Sequence, residues 1–130
     1  MSDQFIQDDV AQFIIENIDS IAQLEALLLL RRNRETGWSV PTLASWLYID
    51  EKQTSDLLMA LCQRGFAEQR EGEPSLYQYQ PSSNEVRQKV DQVAEIYSKH
   101  LIAVTHLVHS KPKFRIQEFA DAFNFRKDKS

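Results

Sequence analysis

The stretch LASWLYIDEKQTSDLLMALCQRGFAEQ, residues 43–69, decides the fold of this chain. Asp50, followed by Gln53 three residues later, is a capping pattern that predicts the start of a new helix. Gly65 fits the C-terminal end of that helix, because glycine adopts the left-handed conformation in which many helices stop. The inward positions of the helix follow its 3.6-residue period: Thr54, Leu57, Leu58, Leu61. The stretch therefore predicts one helix, a tight turn and a second helix.

Residues before and after this stretch extend the pattern. Ser39 is a capping residue, and Pro41 fits the first turn of a helix, where a missing N–H costs nothing. Trp38 to Val40 are a candidate short strand. Downstream, FAEQREGEPSLYQYQ, residues 66–80, predicts a strand, a turn with Gly72 and Pro74, and a second strand with period-two alternation. The two helices are thus expected to lead into a β-hairpin.

Two more helices are expected at the N-terminus. Apolar residues from 5 to 18 lie at roughly helical spacing and predict a first amphipathic helix. Ser20 and Gln23 form a capping box, which predicts that a second helix starts at about residue 21. That helix carries four consecutive leucines, 27–30, whose side chains point nearly all round the axis. We therefore expect the second helix to lie at the centre of the core.

A long helix is expected after the hairpin, over roughly 83–109, with Ser82 and Glu85 as its capping box. Its apolar residues form an almost straight stripe: Val86, Val90, Val93, Tyr97, Leu101, Val104, Val108. The stripe either packs on its own domain or pairs with a second chain. Pairing is favoured, because such a helix is about 40 Å long and a monomer would leave much of its stripe exposed. We therefore predict two units, a domain over 1–81 and a helical dimerisation extension over 82–130.

The C-terminal residues predict a short aromatic helix that carries Phe119 and Phe123 on one face. This helix could clasp the partner subunit, lie on a membrane or dock on another protein. Glu118 and Asp121 oppose a membrane surface. Packing within a homodimer is the expected role, with Phe119 and Phe123 added to the interface.

This order of elements resembles the winged helix-turn-helix domains of MarR-like and PadR-like bacterial transcription regulators. Residues 43–69 and the hairpin carry the resemblance. It implies a mainly α-helical fold with a small β-hairpin, binding to double-stranded DNA, and homodimerisation. In such folds the second helix of the motif enters the major groove. The residues expected near the groove are Thr42, Lys52, Gln53 and Ser55, and those expected near the DNA backbone are Arg64 and Arg70.

The charge distribution opposes strong nonspecific DNA binding. The net charge is −4, with residues 38–80 acidic and residues 81–130 mildly basic. Glu51 and Asp56 stand where a reading helix should meet phosphates, although an acid can accept from cytosine. The alternative function is therefore a non-catalytic adaptor that does not bind DNA and instead binds a protein through the acidic helix 51–64 or the aromatic C-terminal helix.

The sequence contains little that supports other classes of function. No nucleotide-binding or hydrolase motif is present, and the chain has only three glycines, so no enzyme activity or cofactor is predicted. The three histidines lack converging partners for a metal site. Cys62 is the single cysteine, which indicates a reducing compartment. No apolar run could span a membrane and no targeting segment is evident, so we expect a cytoplasmic protein.

Overall fold

The computed structural model describes residues 6–110 and is mainly helical, with one antiparallel hairpin, as predicted. The elements, in chain order, are α1 (Asp8–Asn17), α2 (Ile21–Arg32), α3 (Val40–Leu47), α4 (Glu51–Gln63), β1 (Ala67–Arg70), β2 (Leu76–Tyr79), α5 (Asn84–Lys99) and α6 (101–110).

Helix starts follow the capping residues of the sequence. Ser20, Ser39 and Asp50 each accept a hydrogen bond from the backbone N–H three residues later. The start of α5 differs by one residue from the prediction, because Ser83 and not Ser82 accepts from Val86 N at 3.1 Å. These local hydrogen bonds fix where α2, α3, α4 and α5 begin.

The hairpin is a two-stranded sheet in which Ala67 pairs with Tyr79 at its base and Arg70 pairs with Leu76 beside the turn. Trp38 makes an isolated bridge to Tyr77, so the predicted short strand is reduced to one paired residue. Gly65, at φ +81°, turns the chain from α4 into β1. A Cβ there would stand 2.7 Å from Ser82 Oγ, so a side chain at this position would be strained.

One hydrophobic core joins all six helices and the hairpin. Leu24, Leu27 and Leu30 of α2 are fully buried, which confirms the central position expected for this helix. The α5 helix packs against α1, and Lys89 forms an ion pair with Asp9 there. Residues after the hairpin therefore complete the same core as residues before it.

The single long helix predicted over 83–109 is wrong. His100, at φ −133° and ψ 54°, ends α5, and its backbone N–H bonds to Ile96 O at 2.7 Å. Its carbonyl then accepts from Val104 N at 3.1 Å and begins α6. The apolar stripe is therefore interrupted at His100, and after the break Ala103 and Leu107 are buried beside the stripe residues Val104 and Val108.

Most of the stripe expected at a dimer interface packs inside the chain. Five of its members are buried in the core of the single chain: Val90, Val93, Tyr97, Val104, Val108. Val86 is half-buried and Leu101 is exposed. Phe119 and Phe123 lie outside the described residues. Packing within the chain thus accounts for five of the stripe residues. Of the stripe, only Val86 and Leu101 retain surface for a second chain.

Candidate nucleic-acid interface

The turn between α3 and α4 is closed by hydrogen bonds to one carbonyl. Tyr48, at φ 58° and ψ 41°, is the C-cap of α3, and both its N–H and that of Ile49 bond to Ala44 O. Asp50 then caps α4, its Oδ1 accepting from Gln53 N at 2.6 Å. The hydroxyl of buried Thr54 donates to Asp50 O at 2.8 Å, so both the side chain and the carbonyl of Asp50 are bonded to the start of α4.

α4 has an inward and an outward face. Leu57, Leu58 and Leu61 are buried beneath the hairpin and α2, as predicted. On the outward face Lys52 and Gln53 are exposed and Ser55 is half-buried. These three expected groove residues therefore lie together on the first turns of one helix.

Acidic side chains share that outward face. Glu51 and Asp56 are exposed, and Lys52 Nζ lies 4.0 Å from Asp56 Oδ2. Because both partners are in solvent, this pair is weak and leaves the ammonium available to another anion. Exposed residues 51–56 thus present one cation, two anions and the neutral Gln53 amide.

Arg64, expected near the DNA backbone, is engaged within the chain. It is the C-cap of α4, and its Nη2 lies 2.8 Å from Asp19 Oδ2. Its other terminal nitrogen donates to Asn17 O. The structure therefore places the Arg64 guanidinium at the corner between α1 and α2, where it is bound by groups of the chain itself.

The hairpin turn offers one cation. Arg70 is exposed next to the turn, and within residues 6–110 its side chain makes no hydrogen bond or ion pair. Glu71 and Glu73 flank it and are also exposed. Arg70 is thus available to a phosphate, beside two carboxylates that oppose one.

The outward face of α3 is neutral. Thr42 is exposed, and its Oγ1 accepts from Ser39 Oγ at 2.9 Å. Ser45 and Trp46 lie three and four residues further along the same helix face, and both are exposed. The four-residue spacing of Trp46 from Thr42 is the signal in the sequence that indicates its outward position.

No metal or catalytic cluster accompanies these residues. Residues 6–110 contain no group of three His, Cys, Asp or Glu side chains placed to hold a metal ion. Burial, with a smaller effect from Glu68, raises the pKa of the Cys62 thiol, so the reactive thiolate is disfavoured. Within the described part of the chain no helix has the length and apolar character to cross a membrane.

The sequence matches no protein-family model, and it matches no curated protein. Among solved structures it is similar to Mb0332 from Mycobacterium bovis, described as a homodimeric winged helix-turn-helix DNA-binding domain and a possible ArsR-family transcriptional regulator. The two share 22% identity with a TM-score of 0.53, over 72% of this chain and 82% of that one. It is also similar to RV1404 from Mycobacterium tuberculosis, at 16% identity and a TM-score of 0.51, over 92% of this chain and 83% of that one. These likenesses agree with the helix, turn, helix and hairpin described above: the chain folds as a winged helix-turn-helix domain.

Proposed function

We propose that this chain is a winged-helix DNA-binding protein, a transcriptional regulator of the bacterial kind that MarR-like and PadR-like proteins represent, acting in the cytoplasm as a homodimer without catalysis. The observation that carries the proposal is the outward face of α4. Lys52, Gln53 and Ser55 project from the first turns of a helix whose opposite side is anchored in the core.

In this proposal α4 enters the major groove. Gln53 has the amide that pairs with adenine edges, and Lys52 can donate to guanine. Thr42 stands at the start of α3 and Arg70 at the hairpin turn, on the elements that flank α4 in sequence. Thr42 is assigned to the groove beside α4, and Arg70 to the DNA backbone, whose contacts position the helix without reading sequence.

The description of the M. bovis domain as a homodimeric DNA-binding domain supports the proposal, because its fold is shared. Fold alone does not determine function, so the assignment of DNA binding depends on the residues of the proposed interface. Two symmetric heads would read half-sites separated by about one helical turn of DNA.

Selection of duplexes from a random-sequence pool tests the proposal, followed by fluorescence anisotropy on the enriched duplex. Lys52→Ala and Gln53→Ala should each weaken binding about tenfold, since a good bidentate base contact contributes on the order of 1–3 kcal/mol. Lys99→Ala is the matched control, because Lys99 is exposed on α5 and pairs only with Glu95 at 2.9 Å among the described residues. Failure of any duplex to bind, even at about 50 mM salt, would contradict the proposal.

A second candidate is the non-catalytic adaptor that binds a protein and no DNA. The observation that favours it is the exposure of Trp46 on α3 and of Met59 on the acidic helix 51–64. Aromatic residues and methionine are enriched in protein interfaces, and acids repel DNA. The same selection decides between the two, because an adaptor enriches no duplex and still retains its protein partner in a pull-down.

A further inference from the structure

Three arginines lie where the end of α2, the hairpin and the start of α5 meet, and we call Arg31, Arg34 and Arg87 the arginine cluster. Arg31 is in the last turn of α2, and its Nε lies 2.8 Å from Asp91 Oδ1 on α5. Arg34 follows α2, and the Gln78 side chain on β2 donates to its carbonyl at 2.9 Å. Arg87 lies on α5 one turn before Asp91. Contacts between three elements therefore bring the cluster together.

The buried hydroxyl of Tyr79 shows how close the three cations are to one another. Burial, followed by the charge of Asp91, raises the pKa of Tyr79, and the guanidinium groups of Arg31, Arg34 and Arg87 oppose that rise. All three therefore act electrostatically on the same atom. Among the described residues this hydroxyl has no hydrogen-bond partner, so the arginines are not placed there to bond to it.

The positive charge of the cluster is largely uncompensated. Arg34 and Arg87 are exposed, and their side chains form no ion pair within residues 6–110. Arg31 is only 28% exposed and is held by Asp91 through Nε, while its terminal nitrogens have no acceptor in the described part of the chain. One carboxylate thus faces three guanidinium groups, on a chain whose net charge is −4.

Helix dipoles do not explain the whole cluster. The C-terminal end of α2 favours a cation, which accounts for Arg31. Arg87 is the fourth residue of α5, near the N-terminal end, where the dipole favours an acid instead. Like charges close to one another are also unfavourable. An anion from outside the chain would offset both costs.

We propose that the arginine cluster binds a small phosphate dianion, either free phosphate or the phosphate group of a monoester. A guanidinium group presents parallel N–H donors that match phosphate oxygens, and it stays charged at neutral pH. Arg31, fixed by Asp91, would position the anion, and Arg34 and Arg87 would close on it from solvent. The cluster belongs to α2, the turn after it and α5, outside the helix-turn-helix, so the inference does not depend on DNA binding.

Titration of the full chain with inorganic phosphate at about pH 7.5, where phosphate is mainly dianionic, tests the inference. The NMR signals of the arginine Nε–H groups should shift and saturate, at an ionic strength held constant with sodium chloride. Arg34→Gln and Arg87→Gln should each weaken phosphate binding about fivefold, since each removes one largely exposed ion contact.

Arg32→Gln is the matched control. Arg32 is an exposed neighbour on α2, and its charge is not among those that act on the Tyr79 hydroxyl. Its substitution removes the same charge and should change phosphate affinity by less than about twofold. The thermal midpoint without phosphate should be the same in all three variants, because the substituted side chains lie on the surface.

Three results would overturn the inference. The first is a shift that does not saturate with phosphate. The second is an equal loss of affinity in Arg32→Gln, which would indicate general attraction to positive charge. The third is a loss of duplex binding in Arg34→Gln and Arg87→Gln with unchanged phosphate affinity, which would assign the cluster to the DNA backbone. If the chain binds no duplex at low salt and still binds phosphate at the cluster, the proposed function fails and this inference stands.

Discussion

The buried Tyr97 side chain, which is hydrogen-bonded between two helices, predicts a pH-dependent stability for this protein. The Tyr97 hydroxyl on α5 donates to Glu25 Oε1 on α2 at 2.6 Å. Burial, with a further contribution from the bond to Glu25, raises the pKa of Tyr97 from 10.0 to about 12. The folded chain therefore holds this proton more tightly than the unfolded chain. The resulting stabilisation is complete below pH 10 and is lost as the pH rises towards 12.

At the residue scale we accordingly expect Tyr97→Phe to reduce the loss of stability at alkaline pH. The free energy of unfolding of the unsubstituted chain should fall more than that of the variant between pH 10 and pH 12, by a difference on the order of 2 kcal/mol. Urea unfolding at a series of pH values measures this difference. Parallel pH profiles for the two chains would show that the Tyr97 proton is not linked to folding.

At the scale of elements, Arg64 joins the end of α4 to the corner between α1 and α2. Its guanidinium binds Asp19 and the Asn17 carbonyl, more than 40 residues away in sequence. The side chains of Arg64 and Asp19 are only 29% and 48% exposed, so the pair is partly shielded from solvent. This contact holds the helix that presents the candidate DNA-binding residues.

Arg64→Ala should therefore lower stability by about 1 kcal/mol, a value reduced from that of a buried pair because solvent screens both partners. Arg70→Ala removes the same charge from an exposed site and should change stability by less than about 0.5 kcal/mol. Urea midpoints measure both effects.

DNA affinity should show the opposite order: it should be weakened by Arg70→Ala and unchanged by Arg64→Ala. If Arg64→Ala loses DNA affinity without losing stability, Arg64 contacts the DNA backbone, as the sequence predicted.

At the scale of the whole molecule, the break at His100 sets which apolar side chains stay on the surface. Leu101 is 53% exposed and Ile102 is 79% exposed, at the start of α6. Exposed neighbours of this size are typical of an interaction surface. We predict that they contribute to the homodimer interface, together with half-buried Val86, which belongs to the extension proposed for 82–130.

Size-exclusion chromatography with light scattering tests that surface. The chain should elute at twice its mass of 15.1 kDa, and Leu101→Glu should elute as a monomer, because a charge would be buried without a partner. Gln92→Glu, which adds the same charge at an exposed position of α5, should leave the dimer intact. A monomeric unsubstituted chain would show that no such dimer forms. A dimeric Leu101→Glu variant would show that the dimer contact lies elsewhere.

The sequence by itself determined the local features of the fold. The caps at Ser20, Ser39 and Asp50, the stop at Gly65 and the hairpin all depend on residues a few positions apart, so their signals are contained in short stretches. The same local reasoning placed Lys52, Gln53 and Ser55 on one outward face, because a helix repeats every 3.6 residues.

Only the tertiary structure decided which surfaces are covered. The apolar period continues through residue 100, yet the chain breaks there and buries most of its stripe within its own core. Arg64 found its partner at Asp19, and Trp46 and Tyr48 were left in solvent. Periodicity shows which side chains share a face, but the burial of that face depends on elements brought against it from distant parts of the chain.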